Sequence, residues 1–564
     1  MSLKKLTIKH LLDNSVEEFS DHPAFSMIGR KPITYKELGQ RVKTLSEILR
    51  NQGIYAGDRV AILSENMPNW GVSYLAVTTM GAVAVPILPD FHTNEVHHIL
   101  RHSEAKAIFI SEKQFIKLEG VKIENLKTIF IIDDFSLIPP ETRVDRLKKL
   151  LQEGQSEYRK LRDAALNRVQ KRRPEIDEQQ TASIIYTSGT TGHSKGVILS
   201  HKNLVFDAQS TLKIIKDVSP ADRLLSILPL SHSYENTIGF LTPIMCGAHV
   251  YYLDKPPVAR ILLPAMQEIK PTIMLSVPLI MEKIYKTKVL PQLTKSGLMR
   301  KLYSKPFYRR QLHKLAARKI KKAFGGELRV FAIGGALLAP DVELFMREGG
   351  FPYAVGYGLT ETSPLIAGIG VAETKYRSTG PSIPGVDVTI HDPNPKTGEG
   401  EIWVRGDNVM KGYYRDPERT EQVFFNGWFR TGDLGVLDED GYLYIKGRLK
   451  NVIVGPSGEN IYPEEIESLL NKSDYVWESL VYQDEGVLCA RVYLNYEELD
   501  KELDVQKLTE TQISQKIKEK LNDLRKHVNA NVSSFSRISK IIEQQQPFEK
   551  TPTRKIRRYL YVGE

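Results

Sequence analysis

Apolar and polar positions fall into blocks along this chain, and most blocks read as a strand leading into a helix. Residues 33–53 (ITYKELGQRVKTLSEILRNQG) predict a short strand and then an amphipathic helix. Thr34 is the expected N-cap, with Glu37 three residues on to close a capping box and Gly53 as the stop. RVAILSEN (59–66), AKAIFISEK (105–113) and KTIFIIDD (127–134) are apolar runs that end in polar residues. Alternation of such runs with helical stretches predicts parallel sheet and the α/β class. Residues 69–89 carry no charge over about a membrane-spanning length. Gly81, Pro86, Ser73 and two threonines interrupt them, so the stretch reads as a buried helix, a turn and a buried strand. Residues 141–175 are charged and helical in pattern, a surface excursion before the next strand.

Further on, apolar strands again run into polar or glycine-rich loops. Residues 223–230 lead into LPLSHSYENT, and IKPTIMLSVPLIMEKI, LRVFAIGGALL and YAVGYGLTETSP repeat the form. Ligands of open α/β sheets collect at the C-terminal ends of strands, so these loops predict one composite site. From Gly385 the pattern changes to short β segments (VDVTIHD, GEIWVRG, GYLYIKG), which suggest a small barrel-like sheet. DEDG at 438–441 reads as a hairpin turn, because a calcium loop would need further ligands that are missing. A last segment begins near Lys450, and Pro463 suits the first turn of its first helix. The expected architecture is a large α/β domain of parallel sheets with flanking helices and a β-barrel-like subdomain (1–449). A small mobile α+β domain (450–564) follows it.

Length agrees, since 564 residues exceed one compact core. The two cysteines lie far apart in apolar contexts, which fits a reducing compartment. The N-terminus has no long apolar segment and does not read as a signal peptide. Net charge is +10, and it is unevenly placed. Between Glu282 and Glu327 there are fourteen Lys or Arg and no acid. Within this stretch, 298–323 looks helical and amphipathic after Pro306, with Leu312, Leu315, Ala316, Ile320 and Ala323 as its apolar stripe. A surface of this kind (283–326) suits peripheral contact with an anionic membrane, and the alternative is a solvated helix. No recognition motif accompanies the charge, so no nucleic-acid partner is expected. The expected location is cytoplasmic, with the inner face of the membrane as the candidate surface.

The densest chemistry is YTSGTTGHSKGV at 186–197, with three glycines, several hydroxyls, one Lys and no acid. Small residues let backbone N–H groups approach an anion closely, and Lys195 adds a mobile positive charge. A flexible linker has a similar composition. The spacing excludes a Walker loop, because Lys195 precedes Gly196 instead of following a glycine. Other candidates sit at strand ends. They are His232 and Tyr234 in LPLSHSYENT; Tyr357, Thr360 and Glu361 in GYGLTETSP; Asp433 in GWFRTGDL; and Arg448 and Lys450 in IKGRLKN. Each alone has a structural reading: a buried histidine, an exposed glutamate, a solvated basic tail.

Together and in this order, the motifs resemble those of the acyl-adenylate-forming enzymes, and the wording is most similar to the long-chain fatty acid–CoA ligases. The resemblance spans nearly the whole chain, although the first 180 residues share only the general strand and helix pattern. It implies a phosphate loop of Thr187, Ser188, Gly189, Thr190, Thr191, Gly192 and Lys195. It implies an adenine turn at Gly334, Gly335 and Ala336, with Tyr357 stacked on the purine. Asp433 and Arg448 would take the ribose, Glu361 would bind Mg²⁺, and the catalytic set would include Glu361, Thr360 as donor to a phosphate and His232 at the junction of carboxylate and phosphate. Lys450 is implied as a hinge, Gly458 as part of the CoA tunnel and Lys555, in FEKTPTRKIRR, as the catalytic lysine. Two positions depart from the pattern: Asn236 stands where long-chain members often carry an aromatic gate, leaving Tyr234 as the substitute, and Arg554 stands where many members have Gly before the lysine.

The implied reaction joins a fatty acid to ATP as acyl-AMP and then passes the acyl group to CoA. Negative charge spreads over phosphate oxygens in the first step, so positioned cations carry the catalysis. Three alternatives stand beside it. One is a ligase for acyl carrier protein, a second stops at acyl-AMP, and the third is a catalytically inactive membrane-associated scaffold.

Overall fold

The computed structural model describes residues 3–119, 123–139, 144–166, 175–187, 194–454, 460–484, 486–503, 509–551 and 555–562. The chain divides into two compact units. The first comprises Met1–Thr389, Trp403–Thr431 and Leu437–Tyr444. The second comprises Ile390–Ile402, Gly432–Val436 and Ile445–Glu564. The division therefore falls a few residues before Lys450, and two earlier segments belong with the C-terminal unit.

Two sheets organise the first unit. The seven-stranded sheet runs in the order Tyr353–Val355, Val330–Ile333, Ile273–Ser276, Arg223–Ser226, His249–Tyr252, Pro23–Met27, Ile33–Thr34. All neighbours in it are parallel except the last pair. The eight-stranded sheet runs Gly412–Tyr413, Lys195–Ser200, Thr181–Thr187, Val83–Ile87, Arg59–Leu63, Ala107–Ile110, Thr128–Ile131, Ser136–Ile138. Its centre is parallel, while both edges are antiparallel. A five-stranded sheet follows among residues 386–448.

Local sequence accounts for many of these elements. Thr34 caps the helix Tyr35–Asn51 and closes the capping box with Glu37, an arrangement worth about 1 kcal/mol. Gly53 takes a left-handed φ of 77° just beyond that helix. The uncharged stretch forms the buried helix Pro68–Thr79 and the strand Val83–Ile87. Trp70 stacks on Tyr74 with ring centroids 5.3 Å apart, and Phe240 meets both edge-on. No helix among the described residues is long and apolar enough to cross a membrane. DEDG is a turn in which Asp438 accepts from the backbone of Asp440 and Tyr442. Both cysteines are free and buried.

Two expectations need correction. The strand expected over 223–230 ends at Ser226, because the loop beyond it is held by other partners. The basic stretch forms the helices Gly297–Tyr303 and Pro306–Ala323, but the buried stripe of the second is His313, Ala317 and Ile320. Leu315 is 57% exposed, so it leaves the predicted stripe; Leu312, Ala316 and Ala323 are partly buried beside it. The cause is the neighbouring helix Pro340–Gly349. Its Glu348 accepts from Arg309 at 2.6 and 3.0 Å and lies 2.8 Å from His313, turning that polar edge inward.

In the second unit, Val476–Asp484 pairs antiparallel with Val487–Leu494, which pairs parallel with Lys540–Gln544. The helices Pro463–Leu470 and Glu510–Asn529 supply apolar residues such as Ile466, Leu470, Leu521 and Leu524 to the core of this unit.

Candidate active site

Four neighbouring parallel strands of the first unit end together, and three of them hand the chain to a candidate motif. Arg223–Ser226 leads to the His232 loop, Val330–Ile333 to the Gly334 turn and Tyr353–Val355 to the Tyr357 segment, with Ile273–Ser276 between them. Backbone bonds tie the ends together. Gly334 N–H donates to Ser276 O at 3.1 Å, and Gly356 N–H donates to Ile333 O at 2.9 Å. The strand ends from which a composite site was expected therefore lie side by side.

Asn66, just past the strand Arg59–Leu63, fixes the His232 loop. Its amide nitrogen donates to Ser226 Oγ (2.9 Å) and Leu228 O (2.6 Å), and its oxygen accepts from Leu230 N–H (2.9 Å). These bonds hold residues 228–230 out of the sheet. Within the loop, His232 Nδ1 lies 3.3 Å from Tyr234 N. Ser233 Oγ lies 3.2 Å from Thr360 Oγ1, which brings the His232 and Thr360 motifs together. The Tyr234 hydroxyl donates to Ala332 O at 3.0 Å, and its ring faces Gly334, where a Cβ would stand 3.3 Å from two ring carbons. Gly335 takes a φ of 89°, and Gly335 and Ala336 form an exposed turn. Tyr357 pairs with Ala367 in a two-stranded ribbon. Gly358 in that ribbon admits no side chain, since a Cβ would stand 1.8 Å from Pro364 O.

Glu361 lies almost fully buried on a 3₁₀ turn. Its Oε1 accepts from Lys195 Nζ at 2.7 Å and from the Tyr413 hydroxyl at 3.0 Å. Lys195 Nζ is also 2.7 Å from that hydroxyl. Burial alone would raise this carboxyl, but the charge and hydrogen bond of Lys195, with the Tyr413 bond, hold it below the usual range. Sheet register builds the cluster. Tyr413 pairs with Val197 on the edge strand, and Lys195 opens the strand next to it.

The phosphate-loop sequence is the connection of a hairpin in which Thr187 pairs with Lys195. Ser188, Gly189, Thr190, Thr191 and Gly192 lie outside the described residues. At the two ends of that connection, the hydroxyls of Thr187 and Ser194 are buried without a partner among the described residues. Such donors fit an anion.

A second carboxylate directly follows Tyr234 in sequence. Glu235 is 2% exposed in the π-helical turn Glu235–Leu241, and it accepts from Ser226 Oγ at 2.6 Å. Burial pushes it up to about 8, with the Ser226 bond opposing. Gly239 makes room for it, because a Cβ there would stand 2.7 Å from the carboxyl carbon. Sequence reading missed Glu235, Tyr413, Asn66 and Ser226. An acid inside the apolar run ENTIGFL was the one available signal; nothing in the spacing marks Tyr413.

In the second unit, Asp433 is buried and 2.9 Å from Arg448 Nε. Lys450 is exposed on the turn Leu449–Asn451. Gly458 and Arg554 lie outside the described residues. Lys555 is exposed on a small hairpin, where Lys550 bridges Ile556 and Thr551 N–H donates to Lys555 O at 2.8 Å. Arg558 anchors that hairpin through two bonds to Glu467 (2.6 and 2.8 Å). Phe548 packs edge-on against Tyr561.

No cluster of three or more His, Cys, Asp or Glu side chains among the described residues is arranged to hold a metal. Mg²⁺ does not need one. It takes one or two carboxylates and completes its shell with phosphate oxygens and water. The ionised Glu361 fits that donor set.

Parallel strands that end in polar loops, with an ionised carboxylate beside a lysine, define an α/β protein of the strand-end type. The chain belongs to the family described as AMP-binding enzyme, which matches residues 12–414. It is similar to the long-chain-fatty-acid–CoA ligase heimdall of Drosophila melanogaster, with 30% identity over 83% of this chain and 72% of that protein. It is also similar to the chloroplastic long-chain-fatty-acid–[acyl-carrier-protein] ligase AEE15 of Arabidopsis thaliana, with 29% identity over 98% of this chain and 84% of that one. Among solved structures, ATP-bound MatB from Rhodopseudomonas palustris shares the fold. Its TM-score is 0.74 at 24% identity, over 99% of this chain and 98% of that one.

Proposed function

We propose that the protein is an acid–thiol ligase that activates a long-chain fatty acid with ATP and transfers it to CoA, releasing AMP and pyrophosphate. The observation that carries this is the Glu361–Lys195–Tyr413 cluster beside the His232 and Thr360 loops, at the ends of four parallel strands. The fatty carboxylate attacks the α-phosphorus of ATP, and pyrophosphate leaves. The CoA thiolate then attacks the acyl carbon of the mixed anhydride and expels AMP. Glu361 and phosphate oxygens would hold Mg²⁺, which when bound supplies neutralising charge. Lys195 is oriented by Glu361 and Tyr413, and it meets the phosphates together with the 187–195 hairpin. The Gly334–Ala336 turn and Tyr357 take the adenine, and Asp433 with Arg448 takes the ribose. Lys555 adds a cation in the first step. Lys450 is the hinge that lets it leave for the second, when the thiol reaches the site past Gly458. Tyr234 gates the acyl path.

The test is pyrophosphate release with ATP, Mg²⁺ and fatty acids of graded length, with and without CoA. Release should require the acid and should need CoA for multiple turnover. Lys555→Ala should cut it about 100-fold, the scale of one lost transition-state donor, with no change in melting temperature. No release with any acid would overturn the reading. The carrier-protein ligase is the second reading, supported by similarity to the Arabidopsis ligase along nearly the whole chain. Preference for a phosphopantetheinyl carrier protein over CoA would establish it.

Peripheral membrane contact belongs to the same proposal. Leu298, Phe307, Tyr308 and Leu315 are exposed on the two basic helices, amid Lys305, Lys314, Arg318 and Lys322. Apolar side chains within a cationic face suit an anionic lipid surface. Flotation with phosphatidylglycerol vesicles, lost in high salt and in Phe307→Ser/Leu315→Ser, is expected. Equal flotation with phosphatidylcholine vesicles would count against it.

A further inference from the structure

The first unit holds a cavity of about 280 Å³ with two chemically different ends. At one end are Tyr234, Ala332 and Gly356, next to the Gly334 turn and Tyr357. At the other are Lys216, Asp217, Arg329 and Glu373. Aliphatic side chains such as Ile214, Ile238, Val355 and Leu365 line the way between them.

The charged end has a fixed part and a movable part. Arg329 is fixed. It donates twice to Asp222, at 2.6 and 2.9 Å, and also to the carbonyls of Lys216 and Asp217. Lys216 and Glu373 are held differently. Their side chains form an ion pair at 2.6 Å, and the lysine is 72% exposed. The backbone around Glu373 is secured independently. Its N–H donates to Gly370 O at 3.1 Å, its carbonyl accepts from the Tyr442 hydroxyl at 3.0 Å, and Thr374 O accepts from Arg347 at 2.9 Å. Only the carboxylate therefore has to swing for the cavity to open. An exposed ion pair is a weak interaction, and burial of methylene groups grows with every carbon added.

We propose that the acyl chain leaves this cavity at its far end by displacing the Lys216–Glu373 ion pair, so that acids longer than the cavity are accepted with their terminal carbons or polar end groups in solvent. This rests on the fatty-acid reading above. The pair is then a latch, and the cavity is a passage with no floor. Ile214 and the glycine-rich wall set its bore. A Cβ on Gly368 would stand 3.1 Å from Ile214 Cδ1, and one on Gly370 would stand 3.0 Å from Ile214 O and 2.9 Å from Glu373 Oε2.

The experiment compares kcat/KM for octanoic to docosanoic acid and for hexadecanedioic acid, using the full chain. Wild type is set beside Glu373→Ala and Gly368→Val, with melting curves to confirm folding. In wild type, a plateau above the optimal length, with the diacid used, supports an open passage. Glu373→Ala should raise the diacid relative to hexadecanoic acid about tenfold, because a like charge leaves the exit. Gly368→Val should lower docosanoic relative to octanoic acid by about tenfold or more, the scale of one misfit group in an apolar pocket. A sharp upper length limit in wild type, unchanged in both variants and with the diacid refused, overturns the latch. Activity with some acids but no passage sinks this inference alone. Activity with no acid sinks the ligase reading beneath it.

Discussion

Among the buried glutamates of the first unit, Glu361 and Glu235 are driven to opposite states by their surroundings. Glu361 has a lysine and a tyrosine on one oxygen and is held below the usual carboxylate range despite its burial. Among the described residues Glu235 has one hydroxyl partner and no cation, and burial lifts it to about 8. Its neighbours in the field are the phenols of Tyr234 and Tyr252, which offer no positive charge. At neutral pH one carboxyl is therefore a charge and the other a neutral hydrogen-bonding group. Separating two acids by environment assigns them roles that side-chain chemistry alone cannot. Glu361 suits a cation and phosphates. Glu235 suits bracing, since Asn66, Ser226 and Glu235 form one chain of hydrogen bonds under the His232 loop.

The sharpest way to break this contrast is to take away the lysine. Lys195→Ala leaves Glu361 buried without its cation, and the expected loss is about 3 kcal/mol of stability, together with loss of pyrophosphate release. Denaturant melts of Lys195→Ala, Glu361→Gln and the double variant measure the coupling. If the losses simply add, the pair is not the organising contact of the site.

The next effect is in pH. The folded state raises the Glu235 carboxyl from 4.5 to about 8, so it keeps a proton that the unfolded chain releases. Stability from this group is complete below pH 4.5. It falls by up to about 1.4 kcal/mol per pH unit as pH rises toward 8, and it levels off above. Glu235→Gln should remove that slope and gain on wild type as pH rises. Parallel pH profiles of melting temperature would show that Glu235 is ionised in the folded chain.

The smallest effect separates hydrogen bond from charge. Tyr413→Phe keeps the ring beside Lys195 and removes one bond to Glu361, for a loss of about 1 kcal/mol. A loss as large as that of Lys195→Ala would mean that the hydroxyl, and not the cation, sets the state of Glu361.

The sequence was legible wherever local rules decide. Thr34 and Glu37 capped the helix they promised, the charge-free stretch resolved into helix and strand, and the polar strand ends lie side by side. It was less legible where a partner from elsewhere decides. Periodicity put Leu315 in the buried stripe of its helix, but the neighbouring helix with Glu348 selected His313, Ala317 and Ile320. The end of the strand at Ser226 depended on Asn66, a residue just past a strand of the other sheet.

By itself, the amino-acid sequence determined the α/β class and which strands run into polar or glycine-rich loops. Periodicity, caps and glycine-rich motifs act within a few residues of one another, so they can be read along the chain. The tertiary structure alone decided that Lys195 serves Glu361 across 166 positions, that Tyr413 joins them and that burial raises the Glu235 carboxyl. Charge state follows from burial and from the distance to the nearest opposite charge, and both quantities exist only once the sheets have set their register.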